Sequence, residues 1–167
     1  HRMSVNEFKA AEKLPVVMVL DNIRSLHNVG SVLRTADAFR LAGVCMCGIT
    51  ACPPMPEIHK TALGAEDSVS WWYEQDTLIA VEKLKSEGYT VLAVEQVEGS
   101  RMLDTLTLDT DKRYALVMGN EVKGVRQDVV NACAGAVEIP QFGTKHSLNV
   151  SVSAGIVMWE FLRKLKK

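Results

Sequence analysis

The sequence predicts an α/β fold, a mostly parallel sheet flanked by helices, in a single domain. Two observations carry this. Short apolar, β-rich runs alternate with stretches of helical periodicity, the pattern of strands joined by helical crossovers. The 167 residues, 47% hydrophobic and 23% charged, are enough for one sizeable core, with no internal repeat, linker or low-complexity stretch.

The elements follow in order. Residues 1–14 form a short N-terminal segment, and the domain occupies 15–167. Val16–Leu20 reads as a buried strand. A polar loop, Asp21 to His27, ends it, and Asn28 stands where a helix N-cap is expected. Behind it Val29, Val32, Leu33, Ala36 and Phe39 recur at helical spacing, predicting a helix over Asn28–Leu41. Arg34 falls about 140° around that helix from Val29, away from the apolar stripe. Further strands are expected at Val44–Ile49, Val69–Tyr73, Thr90–Val94, Tyr114–Met118 and Ala136–Ile139. Helices are expected near Ile58–Leu63, at Thr77–Glu87 before the stop signal Gly88, and at Arg126–Cys133. The last runs from Asn149 to about Lys164 behind a β-branched first turn. The loop Ala51–Pro56, ACPPMP, is too rigid to continue either neighbour.

Composition narrows the function classes. The net charge of −1 excludes a generally basic nucleic-acid binder, so any RNA contact must come from local cations. Arg24, Arg34, Arg40, Lys60, Lys123, Arg126 and Lys145 flank loops. The basic tail Arg163, Lys164, Lys166, Lys167 fits RNA contact and a dipole-complementing helix end equally well. No apolar run approaches a membrane span and no signal pattern opens the chain, so a cytoplasmic location is expected. Cys45, Cys47, Cys52 and Cys133 read as reduced structural thiols, and a metal site is not expected.

Three stretches could carry chemistry, each at a strand end, where open α/β sheets bind ligands. The first is Asn28-Val-Gly-Ser-Val-Leu-Arg34-Thr-Ala-Asp. The second, Gly119-Asn-Glu121-Val-Lys-Gly124, sets one carboxylate between two glycines that allow close backbone approach. It is neither a P-loop nor GxGxxG. The third is Ile139-Pro140 followed by Ser147-Leu148-Asn149-Val-Ser-Val, in which Ser147 or Asn149 can cap the last helix. Taken one at a time, each has a plain structural explanation. Asn28 could be a simple cap, Glu121 a surface carboxylate, and Arg34 an exposed ion pair with Asp37.

Together, in this order, the three stretches resemble the motifs of the SpoU/TrmH branch of the SPOUT methyltransferases, over about Pro15 to Leu165. The resemblance implies a SPOUT fold with a C-terminal deep trefoil knot, which pattern reasoning alone would not propose. It implies transfer of a methyl group from S-adenosylmethionine to a ribose 2′-hydroxyl of RNA, with tRNA favoured over rRNA. By that resemblance the cofactor is held around Val94, Glu95, Gly119, Asn120, Ile139, Pro140 and Leu148. Asn28, Arg34, Glu121, Ser147 and Asn149 are the implied catalytic set, and a homodimer is implied in which each site is completed by the partner's first motif. Glu121 would pair with an arginine or fix its loop. His27 and His146 border the motifs, but the resemblance requires neither.

Two rivals stand beside this reading. A doubly wound oxidoreductase would place a glycine fingerprint after the first strand, where DNIRSLHN stands instead. A catalytically silent SPOUT-fold RNA-binding protein is opposed by Asn28, Arg34, Glu121 and Asn149, all present.

Overall fold

The computed structural model describes residues 2–145 and 147–166. His146 and Lys167, weighed above as a motif neighbour and as part of the basic tail, lie outside them.

The elements run α1 (Val5–Ala10), β1 (Leu14–Asp21), α2 (Leu26–Ala38), β2 (Leu41–Cys47), α3 (Pro56–Ala62), α4 (Ala65–Ser68), β3 (Trp71–Glu74), α5 (Thr77–Ser86), β4 (Tyr89–Val94), β5 (Arg101–Met102), β6 (Arg113–Met118), α6 (Gln127–Ala132), β7 (Gly135–Glu138) and α7 (Val150–Leu165). The strands form one sheet in the order β3-β2-β1-β6-β4-β7-β5, and every strand pair is parallel.

The sheet has a core on each face, because successive strand side chains point to opposite sides. Val16, Met18 and Leu20 of β1 join Leu116 and Met118 of β6 against α2 and α7. Val17 and Val19 join Ala115 and Val117 against α5 and α6. Two-sided burial explains why β1 and β6 read as unbroken apolar runs rather than alternating ones. Phe161 of α7 is fully buried, a contribution of about 1.5–3 kcal/mol for a side chain of this size. Its ring meets Tyr114 edge-on, with centroids 5.5 Å apart. The short α1 also belongs to the domain, since its Phe8 sits in the α2/α7 core.

Several boundaries move from their expected places. Helix α2 begins two residues before Asn28, because Ser25 takes the cap: its hydroxyl accepts the Asn28 N–H. The helix stops at Ala38, and Arg40, at φ 49°, turns the chain into β2, which starts at Leu41 rather than Val44. β2 ends at Cys47 because Gly48 takes φ 64°. β3 starts at Trp71, since Val69 closes the short helix α4. The Gly88 stop holds, with φ 93° directly behind α5.

Candidate functional site

The site gathers at the carboxyl ends of β4, β6 and β7. Parallel neighbours release their loops at the same edge of the sheet, so segments distant in sequence meet there. They enclose a cavity of about 460 Å3. Val94, Val137, Ile139 and Leu148 supply apolar wall, and Glu95, Glu121, Glu138 and Lys123 supply charge.

The loop after β6 forms one wall, and its shape explains its glycines. A Cβ at Gly119 would lie 2.2 Å from the Val125 nitrogen, so only hydrogen fits. Gly124 sits at φ 70°, the left-handed region that glycine enters freely. The loop closes on itself through Gly124 N–H to Asn120 O at 2.8 Å and Asn120 N–H to Gly124 O at 3.1 Å. The Asn120 side chain completes the turn. Its Oδ1 accepts the Val122 and Lys123 N–H groups at 2.9 and 3.0 Å, and its Nδ2 donates to Asn22 O at 2.7 Å. Asn120 therefore borders the cavity while its side chain is spent on the backbone.

Glu121 ties this wall to the first motif. Its Oε1 accepts the Arg24 N–H at 2.9 Å, and its Oε2 accepts the Ser25 N–H at 2.9 Å and the Asn28 amide at 3.1 Å. Burial alone would raise the Glu121 carboxyl, but these donors together hold it below its ordinary value. Among the described residues Glu121 forms no ion pair with an arginine; Arg24 contributes only its backbone N–H. Thr50 pins the same segment from behind, accepting the Ile23 N–H at 2.9 Å and donating to Leu20 O at 3.1 Å. Asp21, buried at the end of β1, accepts the Thr77 hydroxyl at 2.6 Å and the Arg126 N–H at 3.1 Å, which sets α5 and α6 against β1.

The expected site residues divide into two groups. Val94, Glu95, Gly119, Asn120, Ile139, Leu148, Glu121 and Ser147 line the cavity. Pro140, Asn28, Arg34 and Asn149 do not. Asn28 is held at the cavity's edge through Glu121, so its side chain is no cap. Asn149 is the cap of α7, accepting the Ser151 and Val152 N–H groups at 2.9 and 3.3 Å. Arg34 is exposed on α2, and among the described residues its guanidinium has no hydrogen bond or ion pair. The simple pairing with Asp37 is not formed; Asp37 accepts the Ser68 hydroxyl instead. Sequence reasoning missed Thr50, which carries no local signal, and Glu138 and Gln141, which flank Ile139-Pro140 and line the cavity.

Fold and site thus define a parallel α/β protein whose ligand cavity is built by three strand-end loops and braced by a fourth. It is 27% identical to an AdoMet-bound rRNA methyltransferase from Sinorhizobium meliloti, with a TM-score of 0.84 over 93% of this chain and 59% of that one. The chain belongs to the SpoU rRNA Methylase family, whose profile matches residues 15–159. Its fold is the SPOUT fold that the motifs led one to expect. A protein of Staphylococcus saprophyticus named as a TrmH family tRNA/rRNA methyltransferase is 31% identical over 160 residues, 96% of this chain and 63% of that one. The 23S rRNA (guanosine-2′-O-)-methyltransferase RlmB of Nitrosomonas europaea is 35% identical over 149 residues, 89% of this chain and 56% of that one. The chain therefore spans less than two thirds of the length of these two relatives.

Proposed function

We propose that this protein transfers a methyl group from S-adenosylmethionine to a ribose 2′-hydroxyl of RNA, as a homodimer. The observation that carries the reading is the Glu121 bridge: one loop lines the cavity and also holds the segment that leads into the Arg34 helix. The cavity suits the cofactor. Its volume lies within the roughly 300–1,000 Å3 of small-molecule sites, and Val94, Val137, Ile139 and Leu148 give it an apolar wall beside polar and charged side chains. Val94, Gly119, Ile139 and Leu148 would hold the cofactor, and bound there it supplies an electrophilic methyl group.

Arg34 acts on the hydroxyl. A guanidinium stays protonated at any ordinary pH, so it serves as a fixed positive charge beside the developing alkoxide. Water or a neighbouring group takes the proton. Alignment contributes too, since it replaces a bimolecular encounter by a preset one. In one chain Arg34 stands outside the cavity, so we assign it to the site of a second copy. Val152, Ile156 and Trp159 support that assignment: they form an exposed apolar stripe at i, i+4, i+7 on α7, beside α2. A second copy covering the stripe brings one chain's α2 toward the other's cavity.

The test is tritiated methyl incorporation into RNA. Arg34→Ala is expected to lower the rate by about 100-fold or more, the scale of losing one preorganised charge stabiliser. Its affinity for S-adenosylmethionine by calorimetry should stay near wild type. Full activity in this variant would remove Arg34 from the mechanism. A wild type that binds RNA but never S-adenosylmethionine would establish the silent RNA-binding alternative. Mapping 2′-O-methyl nucleotides in tRNA and rRNA from cells lacking the protein identifies the target, with tRNA expected first.

A further inference from the structure

The loop from Gly119 to Val125 has two faces, one toward the cavity and one toward the first motif. A residue from a different strand end holds the loop itself. Glu95 follows β4, and its own N–H donates to Val137 O at 3.0 Å, which fixes it to β7. Its Oε2 accepts the Val125 N–H at 2.8 Å, and its Oε1 accepts the Gln96 N–H at 3.1 Å. The fit is tight. A Cβ added at Gly124 would lie 2.3 Å from Glu95 Oε2, so the carboxylate occupies the space that any side chain there would need.

We propose that Glu95 is a positioning residue whose carboxylate latches the 119–125 loop into the shape that the cavity wall and the Glu121 anchor both require. This rests on the cofactor reading above, but it assigns Glu95 a role distinct from cofactor contact. What the latch needs is an oxygen acceptor at the Val125 N–H, not a negative charge. Glutamine supplies that acceptor and alanine does not. The latch also makes positions 95 and 124 interdependent, because the cost of a Cβ at 124 depends on what stands at 95.

The experiment is a double-mutant cycle read by calorimetric binding of S-adenosylmethionine, with hydrogen exchange at the Val125 amide as a second measurement. Glu95→Ala should weaken binding by roughly tenfold, the scale of one lost hydrogen bond to a charged acceptor. It should speed exchange at Val125 and lower the melting temperature by only a few degrees, the scale of that one lost bond. Glu95→Gln should weaken binding less than Glu95→Ala, because its amide oxygen can still accept the Val125 N–H while its NH2 group meets only the solvent-exposed Gln96 N–H. Gly124→Ala should weaken binding clearly in the wild-type background and much less beside Glu95→Ala, where only the positive φ remains unfavourable. Three results would overturn the latch: Glu95→Gln as weak as Glu95→Ala, equal Gly124→Ala losses in both backgrounds, or unchanged Val125 exchange in Glu95→Ala. Failure of the wild type to bind S-adenosylmethionine would sink the cofactor reading instead, and the Val125 exchange rate would still decide the latch.

Discussion

Glu121 shows how much one carboxylate can organise. It accepts three donors from residues more than ninety positions earlier in the chain, so it closes a long loop at the site. Glu121→Gln keeps one acceptor oxygen but turns the other into a donor facing a donor. The variant should lose about 1–3 kcal/mol of stability, the cost of an unmatched hydrogen bond in a half-buried place. It should also lose most methylation activity; denaturant unfolding and methyl incorporation check the two. The pH dependence has a definite sign. The folded carboxyl lies below its ordinary value, so its contribution is complete above about pH 4.3 and fades as pH falls through the lower folded value. Wild type should therefore lose stability below about pH 4 more steeply than Glu121→Gln, and equal acid profiles would contradict the bridge. The sequence showed that Glu121 stands between two glycines. It could not show which groups Glu121 receives, since Arg24, Ser25 and Asn28 become its neighbours only when β1 and β6 pair.

At the scale of elements, the long apolar runs were legible because burial on both faces leaves little choice of residue. Boundaries were less so. Ser25 and Asn28 are both good cap residues, and only the fold decides that Ser25 caps while Asn28 turns toward Glu121. The pieces α1, α4 and β5, of six, four and two residues, are too short to display a period. Helix α2 itself is fixed by a close approach to α3. A Cβ at Gly30 would stand 2.0 Å from Thr61 Oγ1 and 2.3 Å from Ile58 O. Helix propensity favours alanine over glycine by about 1 kcal/mol, but a collision with a backbone oxygen costs about 1–3 kcal/mol. The collision should win. Gly30→Ala is expected to lower the melting temperature by several degrees, as calorimetry would show, and to displace the Arg34 helix enough to reduce activity. A variant as stable as wild type would mean that α3 can retreat at no cost.

At the scale of the whole molecule, local patterns named the strands but not their neighbours. β6 lies between β1 and β4, and no feature of either sequence run announces that insertion. That Arg34 stands outside the cavity of its own chain was foreshadowed only by the resemblance, which implies a first motif lent to a partner's site. That placement leads to a decisive experiment on shared sites. Arg34→Ala leaves the cavity intact but removes the charge; Gly119→Ala forces a Cβ into the Val125 backbone and spoils the cavity while keeping the charge. Each homodimer should be inactive, with circular dichroism and light scattering verifying folded dimers. If Arg34 serves the partner's cavity, a mixed dimer places the sound cavity of one chain against the sound arginine of the other. Equal mixing with random exchange makes half the dimers mixed, each with one working site of two, so about a quarter of wild-type activity should return. If Arg34 serves its own cavity, each chain of the mixed dimer carries one fatal defect in its only site, and nothing returns. The outcome depends only on which chain lends the guanidinium, because both substitutions are present in either case.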